Sequence, residues 1–284
     1  MSSAANVAQA APRVPPGPKG SLLLGVMPEF NADSLAFITR CRRDYGDVVR
    51  ARFLYVNVLF LYNPEHVEYM LVSGNKNFRK PLSLNSPFFK RIVGNGLISS
   101  EGDFWLRQRR LAQPAFHRER LAAYADTTVA YTERLVGGWR DGEPREIHAE
   151  MMRLTLEVVA KLLFDADVTK ESGEIGRILG FAVKPFGSQA TLKWIADNRL
   201  PTPLHIRFNR AVRRLDEIIY RIIAERRANG GDRADLLSML LRAQDEDGTR
   251  MTDKQLRDEA MTLFLAGHET TAIALSWAWY LLSQ

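Results

Sequence analysis

One apolar helical stretch, Ala260 to Leu282, is broken by a polar notch, Ala266-Gly267-His268-Glu269-Thr270-Thr271, and this combination constrains the chain most. A small-residue gap beside an acid and an alcohol, within two turns of a buried helix, is poor packing and costly desolvation. Such a defect is usually kept for chemistry. Ala266 and Gly267 strip the helix of bulk, so something flat can lie against its backbone. Thr270 stands at i+4 from Ala266 on the same face, and its hydroxyl can bond back to the Ala266 carbonyl. Glu269 adds a titratable group from which protons can be relayed. A plainer reading stays open, in which a core helix tolerates one polar notch. A zinc site of the His-Glu-x-x-His kind is excluded, because Ala272 stands where the second histidine is required.

The rest of the chain predicts a mainly α fold with a small β-sheet near the N-terminus. Residues 1–14 have no periodicity and are expected to be disordered. Pro15-Pro16-Gly17-Pro18 stiffens the backbone into an extended turn. Asp33 caps a helix expected to run to about Tyr45, with Gly46 as its stop and Leu35, Ile38, Cys41 and Tyr45 on one apolar stripe. Val48–Leu54 and Val58–Tyr62 read as a hairpin, and Asn63-Pro64 opens a short helix reaching Ser73. The Pro-, Gly-, Asn- and Ser-rich segment 78–100 reads as a functional loop. Beyond it, helices are predicted near 103–112, 118–137, 146–164, 172–182, 207–228 and 234–243, then from Thr252. A turn is expected at Asp245–Gly248. The last helix has no stop signal, so the chain reads as truncated within it.

Composition narrows the function classes. The formal charge of +6 is spread through arginine-rich helices, so nucleic-acid binding is a weak inference and a docking face for an acidic protein is an equal one. A single cysteine, Cys41, excludes a disulfide framework, and it reads as a small core residue. The apolar cluster Leu22–Met27 is too short for a signal anchor or membrane span, so a soluble, cytoplasmic protein is expected.

A second constellation lies upstream. Trp105 and Arg109 are four apart and therefore neighbours on one helix face. An indole N–H and a guanidinium fork are donors only, suited to gripping a carboxylate, although a tryptophan anchor beside a solvated arginine fits the pair as well.

Together these features resemble the cytochrome P450 monooxygenases. The notch matches all six positions of the oxygen-activation motif of that family's central long helix, Ala/Gly-Gly-x-Asp/Glu-Thr-Thr/Ser. The segment Gly102-Asp103-Phe104-Trp105-Leu106-Arg107-Gln108-Arg109-Arg110 resembles the helix that holds the haem propionates. The order of parts is similar from residue 15 to 284, implying a partial P450 domain behind a disordered 1–14. The resemblance assigns Glu269 and Thr270 to oxygen activation and proton delivery. It assigns Ala266 and Gly267 to making room for haem and O2, Trp105 and Arg109 to the propionates, and Leu97 and Ile98 to substrate, with core packing open for the last two. It implies haem b as cofactor, O2 as co-substrate and a lipophilic small-molecule substrate. The electron donor would be a ferredoxin or flavoprotein reductase, with no nucleic acid and no membrane span. The family's haem-ligating cysteine lies downstream of the oxygen helix, and Cys41, in the first helix, does not replace it. No metal ligand is therefore assigned on this chain, and activity is expected of the complete protein. A haem-free, non-catalytic fragment of the same fold is the alternative, and a membrane protein anchored by Ala260–Leu282 a costlier one.

Overall fold

A computed structural model of the chain describes residues 14–81, 84–166, 175–176, 178, 180, 203–229, 235–245 and 248–284. The expected disordered segment 1–14 and the helix expected at 172–182 lie almost wholly outside them. The chain divides into two compact units, Met1–Arg79 and Lys80–Gln284.

The first unit carries α1 (Met27–Ala32), α2 (Ser34–Tyr45), an antiparallel pair β1 (Val48–Phe53) and β2 (Val56–Leu61), and α3 (Pro64–Glu68), which runs into a π-helical turn at Tyr69–Ser73. The Asp33 carboxylate accepts the Ala36 N–H at 2.9 Å and so caps α2, while Gly46, at φ 93°, ends it. The register pairs Val48 with Leu61 and Phe53 with Val56. β2 starts two residues earlier than expected, because the chain reverses at Leu54-Tyr55, with Leu54 at φ 54°.

Cys41 is in the core, packed with Val26, Phe37, Val49 and Ala51, and burial pushes its thiol pKa up. The expected stripe on α2 is corrected in part. Leu35 is 76% and Tyr45 37% exposed, and the buried face is carried by Phe37 and Cys41. The reason is aromatic: Phe37 meets Phe30 and Phe60 edge to face at 5.8 and 6.3 Å.

The second unit is helical: α4 (Pro87–Val93), α5 (Gly102–Ala112), α6 (Arg118–Gly137), α7 (Ile147–Phe164), α8 (Pro203–Asn229), α9 (Leu236–Arg242) and α10 (Asp253–Leu282). The segment 78–100, expected to be a loop, contains α4. The Ser86 hydroxyl accepts the Phe89 N–H at 3.3 Å, Pro87 occupies the first turn, and Gly94 at φ 64° ends the helix. α8 begins four residues before the expected 207, directly on Pro203. Asp245 and Gly248 close the predicted turn through the Gly248 N–H on the Asp245 carbonyl.

α10 starts with a reciprocal cap. The Gln255 N–H donates to the Thr252 hydroxyl at 3.3 Å, and the Thr252 N–H donates to the Gln255 side chain at 2.8 Å. It lies mainly along α7, and Leu156, Ala160, Val212, Ile223, Leu256 and Met261 form the centre of the shared core. Its last turns carry Trp277, Tyr280, Leu281 and Leu282 exposed, with Trp279 against Trp139 at 5.4 Å between centroids. Among the described residues no helix is long and apolar enough to cross a membrane.

Candidate functional site

The notch is not buried as its apolar surroundings suggested. Ala266, Thr270 and Thr271 are exposed and Gly267 and Glu269 half-buried, while His268 and Ala272 face inward. The desolvation argued for the acid and alcohol therefore falls elsewhere on the helix. α10 packs through the face of Leu256, Met261, Phe264, His268 and Ala272, which leaves the Ala266–Thr270 stripe outward. On that stripe the Thr270 hydroxyl donates to the Ala266 carbonyl at 2.5 Å, as the i+4 spacing predicted. Gly267 has a packing role besides: a Cβ there would stand 3.1 Å from Val159 Cγ2 of α7. Ala266 and Gly267 line the end of an apolar cleft of about 340 Å³ with Leu121 and Tyr124 of α6 and Val159 and Leu163 of α7.

His268 stacks on Phe264 with centroids 6.3 Å apart. Its Nε2 donates to the Met152 carbonyl at 3.1 Å, which fixes the tautomer and leaves Nδ1 buried with no partner among the described residues. Burial lowers its pKa, so the ring is held neutral.

Trp105 and Arg109 do stand together on α5, the guanidinium carbon 5.2 Å from the indole centroid. Lys80 brings a second cation to the same ring at 5.6 Å. Neither the indole N–H nor the Arg109 fork is bonded to a described residue. The other α5 arginine with inward reach, Arg107, is taken up by Asp245 at 2.8 Å and by Thr249.

Leu97 and Ile98 are half-buried on the segment between α4 and α5, and Leu97 packs against the main core. What holds that segment was missed in the sequence. Two successive acids of α10 reach out to its backbone: the Asn95 N–H donates to Asp258 at 2.9 Å and the Leu97 N–H to Glu259 at 3.0 Å. Gln108 of α5 donates to the other Glu259 oxygen at 3.3 Å. Lys80 donates to the carbonyls of Leu97 and Ser100 at 2.6 and 2.7 Å.

Asp258 also accepts from Lys254 and Arg257, and Arg257 pairs with Asp216 of α8, which takes Arg91 of α4 as well. Glu259 is fully buried. Desolvation raises its pKa to about 7, helped by Asp258 and opposed by the Leu97 N–H, Gln108 and Lys80. Nothing in the sequence marks these two acids as buried, since adjacent acids near a helix start are favourable against its dipole wherever they point.

The residues present suit the edges of a haem. α5 offers two donors that no described residue hydrogen-bonds, and α10 offers a stripe with little bulk. The one thiol, Cys41, sits in the hydrophobic core of the first unit, where burial raises its pKa. Among the described residues no cluster of three or more His, Cys, Asp or Glu side chains could hold a metal ion.

Known proteins are similar to this chain over most of its length. The chain is 38% identical over 244 residues to cyclooctatin synthase of Streptomyces melanosporofaciens, covering 84% of this chain and 52% of that protein. It is 32% identical over 240 residues to cyclooctat-9-en-7-ol 5-monooxygenase of the same organism, with 84% and 52% covered. It thus spans about half the length of these curated relatives. In fold it is similar to retinoic acid bound cyanobacterial CYP120A1, with a TM-score of 0.78 at 22% identity, covering 96% of this chain and 60% of that one. The family profile described as cytochrome P450 matches residues 15–284, and the chain belongs to that family.

Proposed function

We propose that the complete protein is a haem-thiolate monooxygenase that inserts one oxygen atom of O2 into a C–H bond of a lipophilic small molecule. The observation that carries this reading is the bare, outward stripe of α10, on which Thr270 bonds to Ala266 and nothing described covers either residue. Haem, when bound, would supply the activation of O2. Every other task falls to protein side chains.

Trp105 and Arg109 hold the haem carboxylates from α5, with Lys80 fixing the indole between the 97–100 segment and the helix. Ala266 and Gly267 keep the face of α10 low enough for a flat ring. Thr270 releases its hydroxyl from the Ala266 carbonyl to donate toward oxygen, and Glu269, half-buried beside it, passes protons inward from solvent. Leu97 and Ile98 contact the substrate, whose lipophilic character is supported by these two half-buried apolar side chains. Electrons come from a ferredoxin or flavoprotein reductase, and the protein works in the cytoplasm.

The test is haem uptake by the complete protein, read from its absorption spectrum and the carbon monoxide difference spectrum of the reduced form. Uptake with a thiolate signature supports the reading, and Trp105→Ala with Arg109→Leu should lower haem retention. A complete protein that folds and takes up no haem would remove it.

A further inference from the structure

The contact between α10 and segment 94–100 is tighter than packing alone requires. A Cβ on Gly96 would lie 2.2 Å from the Thr262 hydroxyl and 2.7 Å from the Asp258 carbonyl. A Cβ on Gly94 would fall 1.9 Å from an Asp258 oxygen. The two glycines let the main chain press directly on the helix, and this puts the Asn95 and Leu97 N–H groups on Asp258 and Glu259. Leu97 is gripped at both ends of its backbone, by Glu259 at its N–H and Lys80 at its carbonyl. Through Gln108, itself fully buried, the same Glu259 carboxyl reaches α5 one residue before Arg109.

We propose that Glu259 is a positioning residue that sets how firmly the Leu97–Ile98 segment and α5 are seated on α10. The proposal builds on the reading of Leu97 and Ile98 as substrate contacts and of α5 as the helix holding the haem edge. A neutral amide could occupy the same place at no cost in charge; with an acid, the desolvation of its ionised form makes seating dependent on its proton. The charges around it come from every packed element: Asp258 on its own helix, Lys80 ahead of the segment, and Arg107 against Gln108 on α5. Farther out, Arg257 of α10, Arg91 of α4 and Asp216 of α8 hold Asp258.

Seated, the carboxyl titrates near pH 7 because it is desolvated. If the segment lifts, water reaches it and it returns toward the ordinary carboxylate range. The seated state therefore binds the extra proton, and raising pH through about 7 favours lifting. The protonated acid keeps the Leu97 bond through its carbonyl oxygen, and its O–H donates to Gln108 when that amide turns over and gives up its 3.5 Å contact with Arg107.

The deciding experiment is backbone amide exchange across 95–100 in the complete protein, corrected for intrinsic rate, in wild type and Glu259→Gln. Wild-type exchange should rise about tenfold or more between about pH 6 and about pH 8.5, as one pKa unit of coupling implies. Glu259→Gln, isosteric and permanently neutral, should stay slow and flat. Lys80→Met removes the charge that favours the ionised acid, so the wild-type midpoint should move upward, which loss of a merely structural contact would not do. A flat wild-type profile overturns the proposal without any variant, and so does a Glu259→Gln profile that rises like wild type. Exchange reports seating whether or not haem is present, so failure here and failure of the haem reading, which shows in the spectrum, are told apart.

Discussion

At the scale of single residues, two positions separate packing from chemistry. Gly96→Ala forces a methyl group into Thr262 and the Asp258 backbone, and neither can retreat into open space. Overpacking of this kind costs about 1–3 kcal/mol, to be read as a lower urea midpoint with unchanged slope. Thr270→Ala does the opposite. Its hydroxyl is exposed and bonded only along its own helix, so stability should change by less than about 1 kcal/mol. If Thr270 delivers protons, the variant of the complete protein should consume electrons without matching product. The ratio of product to reduced nicotinamide consumed checks this, and an unchanged ratio takes Thr270 out of the mechanism.

At the scale of elements, the charged knot where α4, α8 and α10 meet is the exposed-looking feature that proves most internal. Arg257 and Asp258 side chains are each 5% exposed, and Asp216 is 19% exposed. Arg257→Leu leaves Asp216 with Arg91 and Asp258 with Lys254 and the Asn95 N–H, and the lost charged hydrogen bonds should destabilise the second unit by about 1.5–3 kcal/mol, measured by denaturant unfolding. This knot marks the boundary of what could be read in advance. Helices with caps on local residues were legible: Asp33 and Gly46 bound α2, and Thr252 starts α10 within a residue of expectation. α4 was hidden because Pro, Gly, Asn and Ser compose a loop and a capped short helix equally well. The notch and the Trp105–Arg109 pair were legible as local spacings. Glu259, Asp258 and Lys80 were not, because their partners lie more than a hundred residues away or on a backbone with no side-chain signal.

For the whole molecule, two buried groups among the described residues respond to pH near neutrality in opposite senses. Glu259 has a raised pKa in the fold, so its contribution is complete below the ordinary carboxylate range and is lost as pH rises through about 7. His268 has a lowered pKa, so its contribution is present above its ordinary value and is lost as pH falls below it. Wild-type stability should therefore be highest in mildly acidic solution and fall toward about pH 8, whereas Glu259→Gln should keep only the acid-side loss. Urea midpoints across this range settle the matter, and parallel curves for the two proteins would contradict it. The docking of segment 94–100 on α10 also bears on how such a protein can change over generations. The helix holds that segment by its peptide groups, so the side chains of Asn95 and Ile98 are released from any duty to hold it. Those positions are open to substitution while Gly94 and Gly96 are not, and a lineage can explore new ligands there with its scaffold intact.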